Sequence, residues 1–140
     1  VIAYSIVFVM ATAIAPGAEK TQDAKPVMQA IAATATNNHD AALLLIVAWR
    51  ESRFKNGVIG DGGLALGPWQ SHNAPRAVLW NLPLAAKVAL ARIRYGETVC
   101  PQFPLAVYAS GNCKKGHAVS DARMKEVKRL EDAVDIVRER

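Results

Sequence analysis

Apolar positions along this chain bunch into stretches whose spacing predicts helices, with one long interruption where that spacing is lost. Pro26 is placed for a helix first turn, and Val27, Ala30, Ile31 and Ala35 share one face of a helix running to about Thr36. Asn37-Asn38-His39-Asp40 offers capping side chains ahead of Ala41 to Trp49. There Leu43, Leu44, Leu45, Ile46 and Val47 leave no polar face, the pattern of a helix buried on all sides. Polar residues return at Arg50-Glu51-Ser52-Arg53.

Between Lys55 and Gln70 the periodicity gives way to Gly57, Gly60, Gly62, Gly63 and Gly67, then Pro68. Such density predicts a long loop or small hairpin with unusual backbone angles, and loops of that length in compact domains usually carry function. A further helix is expected from about Leu84 to Tyr95, with Leu84, Val88, Ala91 and Tyr95 facing inward. A short helix follows over Pro104 to Ala109. The last begins near Ser120 and carries Val127, Leu130, Val134 and Val137 as a narrow stripe, its many charges forming a solvated face. Several helices around one buried helix make an all-α fold, with the glycine-rich loop or small hairpin placed after the central helix.

Residues 1–17 stand apart from residues 18–140. Val1 to Ala15 carries no charge and ends in Ala13-Ile14-Ala15 before Pro16-Gly17. It reads either as the hydrophobic region and cleavage site of a secretory signal, the preferred reading, or as a first helix buried in the domain. It is short for a membrane span, which needs about 20 residues. Cys100 and Cys113 are too far apart for a Cys-x-x-Cys metal or redox pair; they are two buried thiols in a reducing compartment or a loop-closing bridge in an oxidising one. The formal charge of +5 favours encounter with polyanions without choosing among them.

The candidate chemistry sits where the buried helix ends. A carboxylate at Glu51, next to Trp49 and Phe54 and at the negative end of a helix dipole, is in a setting that favours its neutral form. A neutral carboxylic acid is what glycosidic cleavage needs, because the leaving oxygen must be protonated as the bond breaks. Arg50 and Arg53 act against this if they lie close. Taken by itself, the local sequence favours a surface Glu at the helix end beside two arginines.

Three stretches then come into register: Glu51-Ser52-Arg53-Phe54; Gly60 with Ala65-Leu66-Gly67-Pro68-Trp69-Gln70; and Val107-Tyr108-Ala109-Ser110-Gly111. Together they resemble the motifs of the soluble lytic transglycosylase family, which has the lysozyme-like fold, over about Pro26 to Gly111. The resemblance implies Glu51 as the acid/base and Ser52 as an orienting group at the cleft. It also implies Gln70 and Tyr108 lining the substrate site. Pro68-Trp69 replaces the family's Leu-Met, so Trp69 either stacks on a sugar ring or fills core, and Ala109 stands in place of the usual Asn.

By the same likeness the substrate is the β-1,4 bond between N-acetylmuramic acid and N-acetylglucosamine in peptidoglycan. Glu51 would protonate the leaving oxygen and then deprotonate the muramyl 6-hydroxyl, giving a 1,6-anhydro product with no cofactor. An extracellular substrate implies a secreted, periplasmic or cell-envelope monomer, bacterial or phage-associated, with Cys100 and Cys113 paired as a disulfide. Membrane attachment would follow only if residues 1–17 persist as an anchor. Goose-type lysozymes share the fold and carry Asp in the corresponding glycine-rich segment, so Asp61 is a candidate second carboxylate of a water-using hydrolase. Ordinary turn chemistry at Asp61-Gly62 is the favoured alternative. A third reading is a glycan-binding module without catalysis.

Other constellations are weak. His39, His72 and His117 lack metal-ligand spacing, Ser110 lacks a nucleophile elbow, and the glycine-rich stretch has no phosphate-loop Lys. Lys114-Lys115 is too small a cluster for nucleic acid.

Overall fold

Where the sequence has no polar face, the chain forms its central helix. A computed structural model, which describes residues 1–138, places α3 over Asn38–Ser52 with every residue from Asp40 to Trp49 buried. Around it lie α1 (Tyr4–Thr12), α2 (Ala24–Thr34), α5 (Leu82–Val99) and α7 (His117–Arg138). Two short helices, α4 (Arg76–Leu79) and α6 (Ala106–Ser110), pack on α5. The fold is all-α, with a single small hairpin among the described residues.

The start of α3 is fixed by its polar cluster. The Asn37 side chain accepts from the Asp40 amide at 2.8 Å, capping the helix. Asp40 is itself buried and accepts from the Thr36 amide and hydroxyl and from Arg94 Nη2 at 2.6 Å. Burial works against its charge, but these donors outweigh it and hold its pKa below the ordinary value. The helix ends abruptly, because Arg53 and Phe54 both take left-handed backbone angles and fold the Phe54 ring under the helix.

The hairpin follows. β1 (Ile59–Gly60) pairs antiparallel with β2 (Ala65–Leu66), Ile59 opposite Leu66 and Gly60 opposite Ala65. A single 3₁₀ turn at Asp61–Gly63 forms its tip.

The inward face of α5 differs from the one expected. Leu84 and Tyr95 are exposed, and the buried positions are Ala85, Ala86, Ala89, Leu90, Ile93 and Gly96. Size misled the reading: small residues let α5 approach its neighbours closely, and a Cβ at Gly96 would press on the Pro104 carbonyl at 3.0 Å. On α7, Val127, Leu130 and Val134 are buried as expected, while Val137 is exposed.

The apolar start of the chain folds as α1 against α2, α3 and α7, burying Val7, Met10 and Ala11, with Ile14 buried just beyond its end. Arg129 on α7 donates to the carbonyls of Ala13 and Ile14, closing the end of α1. No helix among the described residues is long and apolar enough to cross a membrane. Cys100, at the end of α5, and Cys113 form a disulfide with Cα atoms 5.7 Å apart. It closes the loop that carries α6, and such a loop closure is worth roughly 3 kcal/mol in the chain-entropy model.

Candidate active site

The last turn of α3 presents Glu51 at the floor of a cleft. Its side chain is 26% exposed, and Arg123 Nη1 on α7 donates to Oε1 at 3.0 Å. Oε2 has no hydrogen-bond partner among the described residues. The two flanking arginines lie elsewhere: Arg50 forms a forked pair with Glu126, and Arg53 lies over the Trp49 ring at 4.8 Å. Sequence reading weighed Arg50 and Arg53 and missed Arg123, because a contact across 72 positions leaves no local trace.

Gln70 and Tyr108 form the facing wall. Gln70 sits at positive φ, and its amide donates to the carbonyls of Val58 at 3.0 Å and Gly67 at 2.9 Å. Gly60 makes room for it, since a Cβ there would run into Gln70 Oε1. Tyr108, on α6, donates its phenol hydrogen to the Trp69 carbonyl at 2.5 Å, and Ser71 Oγ lies 3.4 Å from the phenol oxygen. Burial, with the negative charge of Glu51 adding to it, pushes the Tyr108 pKa well above the ordinary tyrosine range, so the phenol stays a donor.

Two expected substrate contacts lie behind the wall instead. Trp69 is 1% exposed and donates Nε1–H to the Leu44 carbonyl at 3.0 Å, so its indole fills core and presents no face to a sugar. Ser52 is also buried, its hydroxyl 2.8 Å from the Pro68 carbonyl and 3.0 Å from that of Ala48. It orients the cleft indirectly, by tying the turn before Gln70 to the helix that ends in Glu51.

Asp61 does reach the cleft. At the hairpin tip it is held at positive φ with a 70% exposed side chain, and His72 Nε2 lies 3.3 Å from its Oδ2. His72 went unrecognised in the sequence because its partner lies across the hairpin. Glu51, Asp61, Gln70, His72, Tyr108 and Ala109 line one lobe of about 320 Å³. A second lobe of about 460 Å³ shares all of these but Glu51 and extends to Arg92 and Tyr95. Among the described residues no group of three or more His, Cys, Asp or Glu side chains is placed to hold a metal ion.

The arrangement places the Glu51 carboxyl at the floor, paired with Arg123, with a neutral phenol on the facing wall and a second carboxylate on the opposite lip. Compared with known proteins, the chain matches no family model, no curated protein and no solved structure.

Proposed function

We propose that the protein cleaves the glycan strands of peptidoglycan at the β-1,4 bond following N-acetylmuramic acid, with Glu51 as acid and then base. One observation carries the reading. Glu51, Gln70 and Tyr108, drawn from three separate stretches of chain, line a single lobe. That lobe has a volume of about 320 Å³ and keeps the carboxyl of Glu51 only partly exposed. The lysozyme-like fold implied by the sequence motifs belongs to this proposal, as do an extracellular site of action and a peptidoglycan partner. A buried helix ending in a carboxylate, followed by a hairpin, supports that fold assignment.

In this reading Glu51 protonates the glycosidic oxygen and then removes the proton of the muramyl 6-hydroxyl, which closes on the anomeric carbon. The balance requires no water and no cofactor. Asp61 beside His72 in the same lobe favours a second reading, a hydrolase in which Asp61 assists an incoming water.

Incubating purified peptidoglycan with the protein and weighing the products tests the proposal. The amide of Glu51→Gln matches the acid in shape but delivers no proton, so release of muropeptides should fall by about 10²–10⁴-fold. Near-parental release by a folded Glu51→Gln protein would overturn it and leave a role for some other residue.

A further inference from the structure

The second lobe of the cleft contains chemistry that bond cleavage does not use. Arg92 and Tyr95 are three residues apart on α5 and therefore share a face of that helix. Both line the lobe beyond Tyr108. Tyr95 is 64% exposed, so its ring is open to stack on a ligand in that lobe. Arg92 is half-buried and has no carboxylate within ion-pair distance among the described residues. Its neighbour Arg94 shows the contrast, being engaged with the buried carboxylate of Asp40 at 2.6 Å.

Glu51 is paired with Arg123, and Asp61 has the His72 ring beside it at 3.3 Å. Arg92 is thus the uncommitted cation of the cleft, in a concave setting where its donors are only partly hydrated. A guanidinium so placed selects a planar anion, and a carboxylate matches its fork.

We propose that Arg92 and Tyr95 form a subsite that selects glycans bearing a carboxylate branch, Arg92 pairing with the carboxylate and Tyr95 stacking on the adjoining sugar or peptide. The inference rests on the glycan-cleaving reading and narrows it. Neutral N-acetylglucosamine polymers would be poor ligands, and muramyl strands good ones. The carboxylate has two sources in such strands: the lactyl group where the peptide is absent, or the stem peptide where it is present.

The test is equilibrium binding by Glu51→Gln protein to three soluble probes of equal sugar number. These are a chito-oligosaccharide, a peptide-free muramyl oligosaccharide and a stem-bearing one. Preference for a carboxylated probe over the neutral one by about tenfold or more is expected, from one charge-assisted pair. Arg92→Gln should collapse that preference and Arg92→Lys restore part of it, whereas Tyr95→Ala should weaken all three probes. Lys128→Gln, which removes a charge from a pair on the exposed face of α7, should keep the preference. Whichever carboxylated probe loses more affinity on Arg92→Gln identifies the source. Equal binding of all probes, no binding of any, or a preference that survives Arg92→Gln overturns the subsite. Parent protein is scored for cleavage in parallel. Preference without cleavage rejects the catalytic reading alone, and cleavage without preference rejects the subsite alone.

Discussion

Arg123 on α7 donates to Glu51 Oε1 at 3.0 Å, joining the last turn of the central helix to a helix 72 residues later in the chain. The contact fixes one oxygen of the carboxyl and leaves the other facing the cleft. With its side chain 14% exposed, Arg123 has little freedom to move aside, so it fixes the direction in which the Glu51 carboxyl points.

Removing that constraint should cost turnover more than binding. Arg123→Gln is expected to lower kcat by about tenfold or more while KM changes less, since misplacing a reacting group by about an ångström costs on that order or beyond. Arg123→Lys, which keeps the charge and one donor, should recover part of the loss. A fall in KM-linked affinity with kcat intact would mean that Arg123 contacts substrate instead.

Tyr108→Phe probes the opposite wall. The phenol serves the Trp69 carbonyl at 2.5 Å, and deleting it leaves a carbonyl in the turn after β2 without that donor. A loss of about 1–3 kcal/mol in urea unfolding is expected. Cleavage should fall in parallel, because the same hydroxyl keeps the Gln70 turn against α6. An unchanged denaturation midpoint would show that water replaces the phenol at no cost.

The parts of this molecule written in local pattern were legible, and those written in long-range contact were not. The apolar run at Leu43 to Val47 predicts a buried helix because nothing in it tolerates water, and the glycines from Gly57 to Gly67 predict a turn because few other residues tolerate its angles. Trp69 could not be placed from sequence, since its fate depends on an acceptor at Leu44 in another element. Arg123 and His72 sit among other polar residues, and Arg92 interrupts an apolar run between Ala91 and Ile93. Only the packing of the hairpin and α5 brings His72 and Arg92 to one lobe, and only the packing of α7 brings Arg123 to Glu51. On α5 the error was one of size, large apolar residues being preferred over the alanines that make contact.

His39 gives the fold a pH dependence. It bridges Glu131 on α7, 3.1 Å from Nδ1, and Glu97 on α5, 3.3 Å from Nε2. Burial works against the charged ring, but hydrogen bonds and charge from Glu131 and Glu97 outweigh it and raise the pKa above 6.5. The stabilisation is therefore fully present below 6.5 and is lost as pH rises through the raised value. The difference in stability between parent and His39→Gln should be largest near pH 6 and shrink toward pH 8–9, as measured by denaturant unfolding across that range. A difference that grows with pH would contradict the bridging geometry.

Asp61 decides between the two reactions open to this cleft. Its carboxylate is 70% exposed and pairs with His72 at 3.3 Å, so it is held at the lip but not desolvated. If Glu51 works alone, the nucleophile must already belong to the substrate, and the muramyl 6-hydroxyl is the one within reach of the same carboxylate. Products then end in 1,6-anhydromuramic acid, lighter than a reducing-end product by one water. Asp61→Asn should leave the rate within a small factor, because Asn tolerates the left-handed angle at this turn as Asp does. If Asp61 instead assists water, that substitution should lower the rate by orders of magnitude, and digestion in ¹⁸O-labelled water should place the label at the new muramyl end. His72→Gln separates positioning from chemistry: under the hydrolytic route it should also slow cleavage and alter the pH profile, while under the intramolecular route it should do neither. We expect the anhydro product and a tolerant Asp61, since that carboxylate is 70% exposed to solvent. Label incorporated during cleavage, with later exchange controlled, would reverse the assignment and leave Glu51 as the acid of a hydrolase.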